Sequence, residues 1–161
     1  MKPLTKVMVL AALLSACHAQ KASDFALQTR HANVVCAATV LAVEPPTRSR
    51  NTYLVRVRVD DGIRGAQANE ELTITEWSGL WEQGRERYKA GERYVLFLES
   101  SKGVTSLATG DAGRLKIEKD HTIVVNPSAE RAMRLQGKVK QSRVAYVDLI
   151  ESIRAAVREQ R

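Results

Sequence analysis

The pattern of apolar and polar residues divides the chain into an apolar start, a middle with the two-residue period of strands and an end with a helical period. The middle contains a segment rich in valine and small residues at 33–44, a continuous apolar run at 94–98 and two alternating segments, at 53–59 and 71–77. Continuous runs are typical of buried strands, and alternation is typical of strands with one face in solvent. The middle of the chain therefore predicts an antiparallel sheet.

Turn-forming residues separate these strands. The double proline at 45–46 ends the first strand, because proline cannot donate to a strand ladder. We expect Asp60 and Asp61, followed by Gly62, to form the turn that ends the second strand. Neighbouring carboxylates of this kind diverge, which argues against a shared acid–base task. The short segments 115–117 and 122–125 predict a later hairpin.

Helical patterns are expected on both sides of the sheet. Ser23 is placed to cap a short helix that reaches Arg30. At the other end, residues 142–160 have an amphipathic pattern with a period of three and four residues. Its apolar stripe consists of Val144, Val147, Ile150, Ile153 and Val157. We expect this C-terminal helix to pack on the sheet.

These elements predict a mainly β (α+β) fold, a small OB-like antiparallel barrel with a short N-terminal helix and a C-terminal amphipathic helix. Residues 23–161 are expected to form one domain, since 161 residues with 44% hydrophobic composition suit a single core. The net charge is +7, and it falls to +5 when Lys2 and Lys6 are removed with residues 1–16. A moderate positive surplus suits an acidic partner, and a solvated basic surface explains it equally well.

The first residues have the features of an export signal. Lys2 and Lys6 precede the apolar run 7–14, which is too short to cross a bilayer. The sequence Leu14-Ser15-Ala16-Cys17 resembles the lipobox of bacterial lipoproteins. The resemblance implies a signal peptide at 1–16, a lipid on Cys17 and a tether at 17–22. It also implies the cell envelope, on the outer membrane facing the periplasm if the host is Gram-negative.

A second cleavage site leaves the anchoring open. Cleavage after Ala19 would also follow small side chains, and it would give a secreted or periplasmic soluble protein without Cys17. The other cysteine, Cys36, lies in an apolar run with no neighbouring cation or base. It is expected to be an unreactive core residue.

No motif in the chain indicates catalysis. His18, His31 and His121 do not share a metal-ligand spacing, and phosphate-binding loops and nucleophile elbows are absent from the sequence. We therefore expect no enzyme activity, no cofactor and no metal. Arg56 and Arg58 line one strand face, but an exported protein rarely meets single-stranded nucleic acid, so no nucleic-acid partner is expected.

Three segments carry a further resemblance. Residues 32–35, the strand leading to 62–65 and the segment 88–98 look like the netrin-like, OB-type barrel shared with tissue inhibitors of metalloproteinases. The resemblance implies a fold more than a function. Those inhibitors chelate zinc through an amino-terminal cysteine held by disulfides. Here that position is Cys17, which carries lipid and lacks a partner cysteine, so the mechanism does not transfer.

The candidate functional residues are Trp77, Trp81 and Tyr88. They lie in or beside an unusually long connection between two strands, and aromatic residues near arginine are favoured in interfaces. They form either a recognition surface or a plug at the end of the barrel. The expected function is a lipid-anchored, non-catalytic binding or structural module, whose partners are the membrane and an unknown envelope protein or polymer. The alternative is a secreted inhibitor of an envelope or extracellular hydrolase that uses the Trp77–Tyr88 loop.

Overall fold

The computed structural model describes residues 28–79, 87–108, 110–125 and 142–160, and the description below is confined to them. The strands are β1 (Val34–Glu44), β2 (Thr52–Arg64), β3 (Glu71–Trp77), β4 (Arg93–Ser101), β5 (Val104–Leu107), β6 (Arg114–Ile117), β7 (Thr122–Val125) and β8 (Ser142–Ala145). They form one antiparallel sheet in the order β3-β2-β1-β4-β6-β7-β8, with β5 beside β4. Residues 28–31 are helical, Gly110–Gly113 form a 3-10 turn, and the helix α1 spans Tyr146–Arg158. The prediction of a mainly β chain is confirmed.

The central strand β1 explains the segment rich in valine and small residues. It pairs with β2 along one edge and with β4 along the other, so that Ala37 lies between Asp61 and Val95. Both of its faces are covered, because Val35 and Cys36 point to opposite sides of the sheet and both are buried. The first five residues of β1, Val34–Ala38, are therefore all apolar, and Thr39 and Glu44 follow where the strand is less covered.

The two faces of the sheet contribute to two separate cores. One core lies between the sheet and α1, and its members are Ala32, Val35, Ala37, Val95, Phe97, Leu115, Ile117, Ile123, Leu149, Ile150, Ile153 and Val157. The other fills the curl of the sheet, and its members are Val34, Cys36, Ala38, Val40, Val55, Val57, Val59, Ile74, Tyr88, Tyr94, Leu96 and Leu98. The predicted packing of the C-terminal helix on the sheet and the predicted burial of Cys36 are confirmed.

The expectation that Asp60 and Asp61 form a turn is wrong. Both lie inside β2, which continues to Arg64 with a register shift against β1. Asp60 accepts hydrogen bonds from Thr39, at 2.8 Å, and from Arg93, at 3.1 Å. Asp61 accepts from Arg154 of α1 at 2.9 Å. Partners on three other elements satisfy the two carboxylates within the strand, which overrides their local preference for turns.

The C-terminal helix begins later than residue 142. Residues Ser142–Ala145 form β8, which pairs with β7, and α1 starts at Tyr146. Ile150 and Ile153 are buried as predicted, but Val147 is 62% exposed. The buried stripe keeps its phase although α1 starts four residues later, and in the first turn Val147 faces solvent while Tyr146 and Leu149 pack against the core.

The strand β5 brings the two sides of the curled sheet together. It pairs with the end of β4 and lies against β3, the first strand in the sheet order. Within the described residues, no backbone ladder joins β3 to β5. The described architecture is therefore a curled antiparallel sheet with a helix on its outer face.

Several predicted features lie outside the described residues. These are the signal at 1–16, Cys17, the tether at 17–22, the start of the first helix and Trp81. In the part of the chain that the structure describes, no helix has the length and apolar character that a membrane span needs.

Candidate functional site

Trp77 is the exposed member of the two predicted site residues, Trp77 and Tyr88, that the structure describes. It is the last residue of β3, pairs with Thr52 of β2 and is 59% exposed. Its indole lies over Gly79, where an added β-carbon would overlap the ring. Glycine at 79 therefore makes room for the indole at the surface. The alternative that Trp77 plugs the barrel end is wrong.

The backbone beyond Trp77 is fastened to the start of β2. The Ser78 amide donates to the Asn51 carbonyl at 3.3 Å, and the Ser78 hydroxyl donates to the Asn51 side-chain oxygen. These contacts continue the β2–β3 pairing by one residue. These hydrogen bonds fix the end of the sheet that carries Trp77.

A buried ion pair lies directly below this end. Glu76 points into the curl, and Arg87 donates to its carboxylate through Nε at 2.7 Å. Tyr88 donates to the other carboxylate oxygen at 2.9 Å. Because Glu76 precedes the 77–86 connection and Arg87 follows it, the ion pair joins the two ends of the connection at its base.

Aromatic and cationic side chains pack around this ion pair. The Tyr88 and Tyr94 rings meet edge to face at 5.2 Å, and the Arg114 guanidinium lies 4.8 Å from the centre of the Tyr88 ring. Arg114 also donates to the Arg87 carbonyl. Tyr94 donates to Glu92 at 2.6 Å. The cluster therefore connects β3, the segment after the loop, β4 and β6.

Burial raises the pKa of Tyr88 well above its usual range, and the neighbouring Glu76 carboxylate raises it further. Burial and the hydrogen bond to Glu92 raise the pKa of Tyr94 in the same direction. Both phenols therefore stay protonated and act as hydrogen-bond donors. Tyr88 is only 2% exposed, so it supports the site from inside and its ring is not available to a partner in this conformation.

Arginine side chains lie on the same outer surface of the sheet as Trp77. Arg56 and Arg58 are exposed on the face of β2 opposite the core residues. Arg50 donates through Nε to the Thr52 carbonyl at 3.1 Å and through Nη2 to the Pro45 carbonyl at 2.9 Å. These bonds hold the Arg50 guanidinium at the start of β2, the strand in which Thr52 pairs with Trp77.

The other reactive side chains are not grouped. Among the described residues, no cluster of three His, Cys, Asp or Glu side chains is arranged to hold a metal ion. Burial raises the pKa of the Cys36 thiol to about 12, which keeps it protonated and unreactive near neutral pH. The arrangement around Trp77 is suited to noncovalent binding, through stacking and charge-assisted hydrogen bonds.

Sequence reasoning did not find two contributors to this site. Glu76 occupies an inward position of β3, and a carboxylate there requires a buried partner. That signal was present in the alternation, but its partner Arg87 was not identifiable from spacing. Arg50 lies in a polar turn that has no periodic pattern.

Comparisons with known proteins add no relative. No family model matches the chain, and no curated protein and no solved structure is significantly similar to it.

Proposed function

We propose that this protein is an exported, lipid-anchored cell-envelope protein whose β domain is a non-catalytic binding module. The observation that carries the proposal is the exposed Trp77, held on a buried and hydrogen-bonded support. Tryptophan is among the side chains that contribute most to binding where they meet a partner. The rigid base reduces the entropy that is lost when a partner binds.

We also propose that the domain is an OB-type, netrin-like barrel. Support comes from the strand order, since β1 pairs with both β2 and β4, while β5 extends from β4 and lies against β3. Five strands connected in this way form a ring if β3 and β5 pair. Closure would protect the edges of both strands.

Anchoring at Cys17 is supported by the signal and lipobox in residues 1–17. The described chain enters through the helical residues 28–31, beside the start of β1. The Trp77 end of the sheet lies beside the opposite end of β1. Eleven strand residues at about 3.3 Å each separate the two ends by about 35 Å. In the proposed arrangement the binding end projects away from the membrane, into the periplasm in a Gram-negative host.

Metabolic labelling tests the anchor. Wild-type protein expressed in a bacterial host is expected to incorporate labelled palmitate and to sediment with membranes, and Cys17→Ser is expected to do neither. A wild-type protein that carries no lipid and is cleaved after Ala19 would contradict the anchored form and support the soluble one.

Capture of envelope components tests the binding surface. Trp77→Ala is expected to lose components that wild type retains. Val147→Ala removes an apolar side chain that is similarly exposed on α1, and it is expected to retain them. Equal capture by both variants would contradict a binding role for Trp77.

The alternative function is inhibition of an envelope or extracellular hydrolase through the Trp77–Tyr88 loop. It is favoured by the Glu76–Arg87 ion pair, which closes the base of the connection as a rigid presented loop requires. Purified protein would then reduce the rate of the captured hydrolase at stoichiometric concentration. Capture without any effect on hydrolysis would contradict inhibition and leave the binding role.

A further inference from the structure

The surface around Trp77 carries an excess of positive charge. We call it the arginine face, and it consists of Arg48, Arg50, Arg56, Arg58 and Trp77 on the outer side of β2, the end of β3 and the turn before β2. Its basic side chains alternate with the buried valines of β2, so the strand holds them towards solvent. Arg58 and the Trp77 end are separated by six strand residues, which corresponds to about 20 Å.

Acidic side chains neutralise only part of this charge. Glu44 lies between Arg50, at 3.9 Å, and Arg56, at 4.0 Å, and these are long contacts for an ion pair. Glu71 pairs in register with Arg58 at the far end of the face. Four guanidinium groups therefore face two carboxylates. The charge of the face is complementary to an extended anion.

On β2 and β3 the face is polar except at the exposed Trp77 and the half-buried Leu54. Thr73 and Thr75 lie beside the arginines on β3, opposite Arg56 and Leu54 of β2. The other large apolar side chains that are exposed in the described part of the chain are Val104 and Val147, on other elements. A protein partner would require an apolar centre to the interface. One indole among guanidinium and hydroxyl groups instead matches a ligand made of polar rings.

The position of the arginine face argues against the lipid headgroups of the anchoring membrane. The described chain enters at the opposite end of β1, so in the proposed anchored form that end is the one connected to the lipid on Cys17. A ligand that contacts the Trp77 end is then a component of the envelope around the protein and not of the anchoring membrane.

We propose that the arginine face binds a carboxylated glycan strand. Trp77 stacks on the C–H face of one sugar ring, and Arg56 and Arg58 donate charge-assisted hydrogen bonds to carboxylates further along the strand. The inference rests on the proposed binding function and names the class of its ligand. No covalent step is involved.

The test is a titration of the mature lipoprotein in neutral-lipid nanodiscs with soluble oligogalacturonate, followed by tryptophan fluorescence and calorimetry. Wild type is expected to bind oligogalacturonate at least about tenfold more tightly than malto-oligosaccharide of the same chain length, because only the former carries carboxylates. Binding is expected to weaken as salt is added. Trp77→Ala and the double variant Arg56→Gln/Arg58→Gln are each expected to weaken binding about tenfold.

The matched control is Arg143→Gln/Arg158→Gln, which removes the same charge from exposed positions on β8 and α1. Thermal unfolding establishes that each variant is folded. The proposal is overturned if the control weakens binding as much as the double variant on β2. It is also overturned if wild type does not prefer oligogalacturonate, or if oligo-dT or phosphatidylglycerol vesicles bind as tightly. If one of these results is obtained while Cys17 carries palmitate and Trp77 is required for capture of another component, the proposed function stands and only the class of ligand is wrong.

Discussion

The buried ion pair between Glu76 and Arg87 gives the sharpest prediction for stability. Replacing Arg87 by methionine keeps most of the side-chain volume and removes the guanidinium that donates to Glu76 at 2.7 Å. Both side chains are almost completely buried, with relative exposures of 7% for Arg87 and 2% for Glu76. The variant therefore removes a hydrogen-bonded positive charge from beside a carboxylate in the core.

The expected loss of unfolding free energy is about 3–5 kcal/mol, the usual effect of removing one partner of a buried pair. That is more than two powers of ten in the unfolding equilibrium constant, and a large part of the roughly 5–15 kcal/mol that holds a domain folded. The double variant Glu76→Leu/Arg87→Met removes both charges. We expect it to recover most of the loss, less about 1 kcal/mol for the Tyr88 hydroxyl that then lacks this acceptor.

Urea unfolding followed by circular dichroism measures these differences through the midpoint and the slope. Glu76→Leu alone completes the double-mutant cycle, in which the coupling energy between the two positions is expected to exceed about 1 kcal/mol. A loss below about 1 kcal/mol for Arg87→Met, or additive single effects, would show that solvent reaches the pair. The proposed rigid base of the Trp77 end would then be wrong.

Three further predictions concern the rest of the domain. Cys36 is expected not to react with a thiol reagent at pH 8 until the protein unfolds. Its folded pKa is raised from about 9 to about 12. The contribution of the buried thiol to the unfolding free energy is therefore present below pH 9 and is lost as the pH rises towards 12. Gly65→Ala is expected to lower the unfolding free energy by about 2 kcal/mol, since φ is +65° and the new β-carbon would overlap a backbone carbonyl. Gly103 has φ +75° and open space around it, so Gly103→Ala is expected to lower the unfolding free energy by only about 1 kcal/mol. Thermal melts of the two variants measure the difference. Ile153→Ala is expected to lose about 2–5 kcal/mol and the exposed Val147→Ala less than about 0.5 kcal/mol; equal losses would show that α1 does not pack through Ile153.

The arginine face and its support differ in how far the sequence predicts them. The alternation of β3 places Trp77 on the same side as Thr73 and Thr75, which is the exposed side. Its outward direction therefore follows from local periodicity. The inward direction of Tyr88 does not, because that residue lies between strands, and its position depends on Glu76 and on the packing of Tyr94.

Sequence patterns alone predict the features that depend on a few neighbouring residues of a strand or helix. The buried runs of β1 and β4, the alternation of β2 and β3, the stop at residues 45–46 and the helical stripe of α1 all follow from the period of side chains along the backbone. Such patterns are local, since each residue only has to agree with its neighbours in the chain.

Contacts between residues that are distant in the chain depend on the packing of the elements in three dimensions. Asp60 and Asp61 stay inside β2 because Thr39, Arg93 and Arg154 reach them from other elements. Residues 142–145 form a strand because β7 offers an edge to pair with. The partner of Glu76 likewise depends on the path of the chain. Hydrogen bonds and ion pairs between elements depend on three-dimensional register, and a one-dimensional pattern of apolar and polar residues does not contain it.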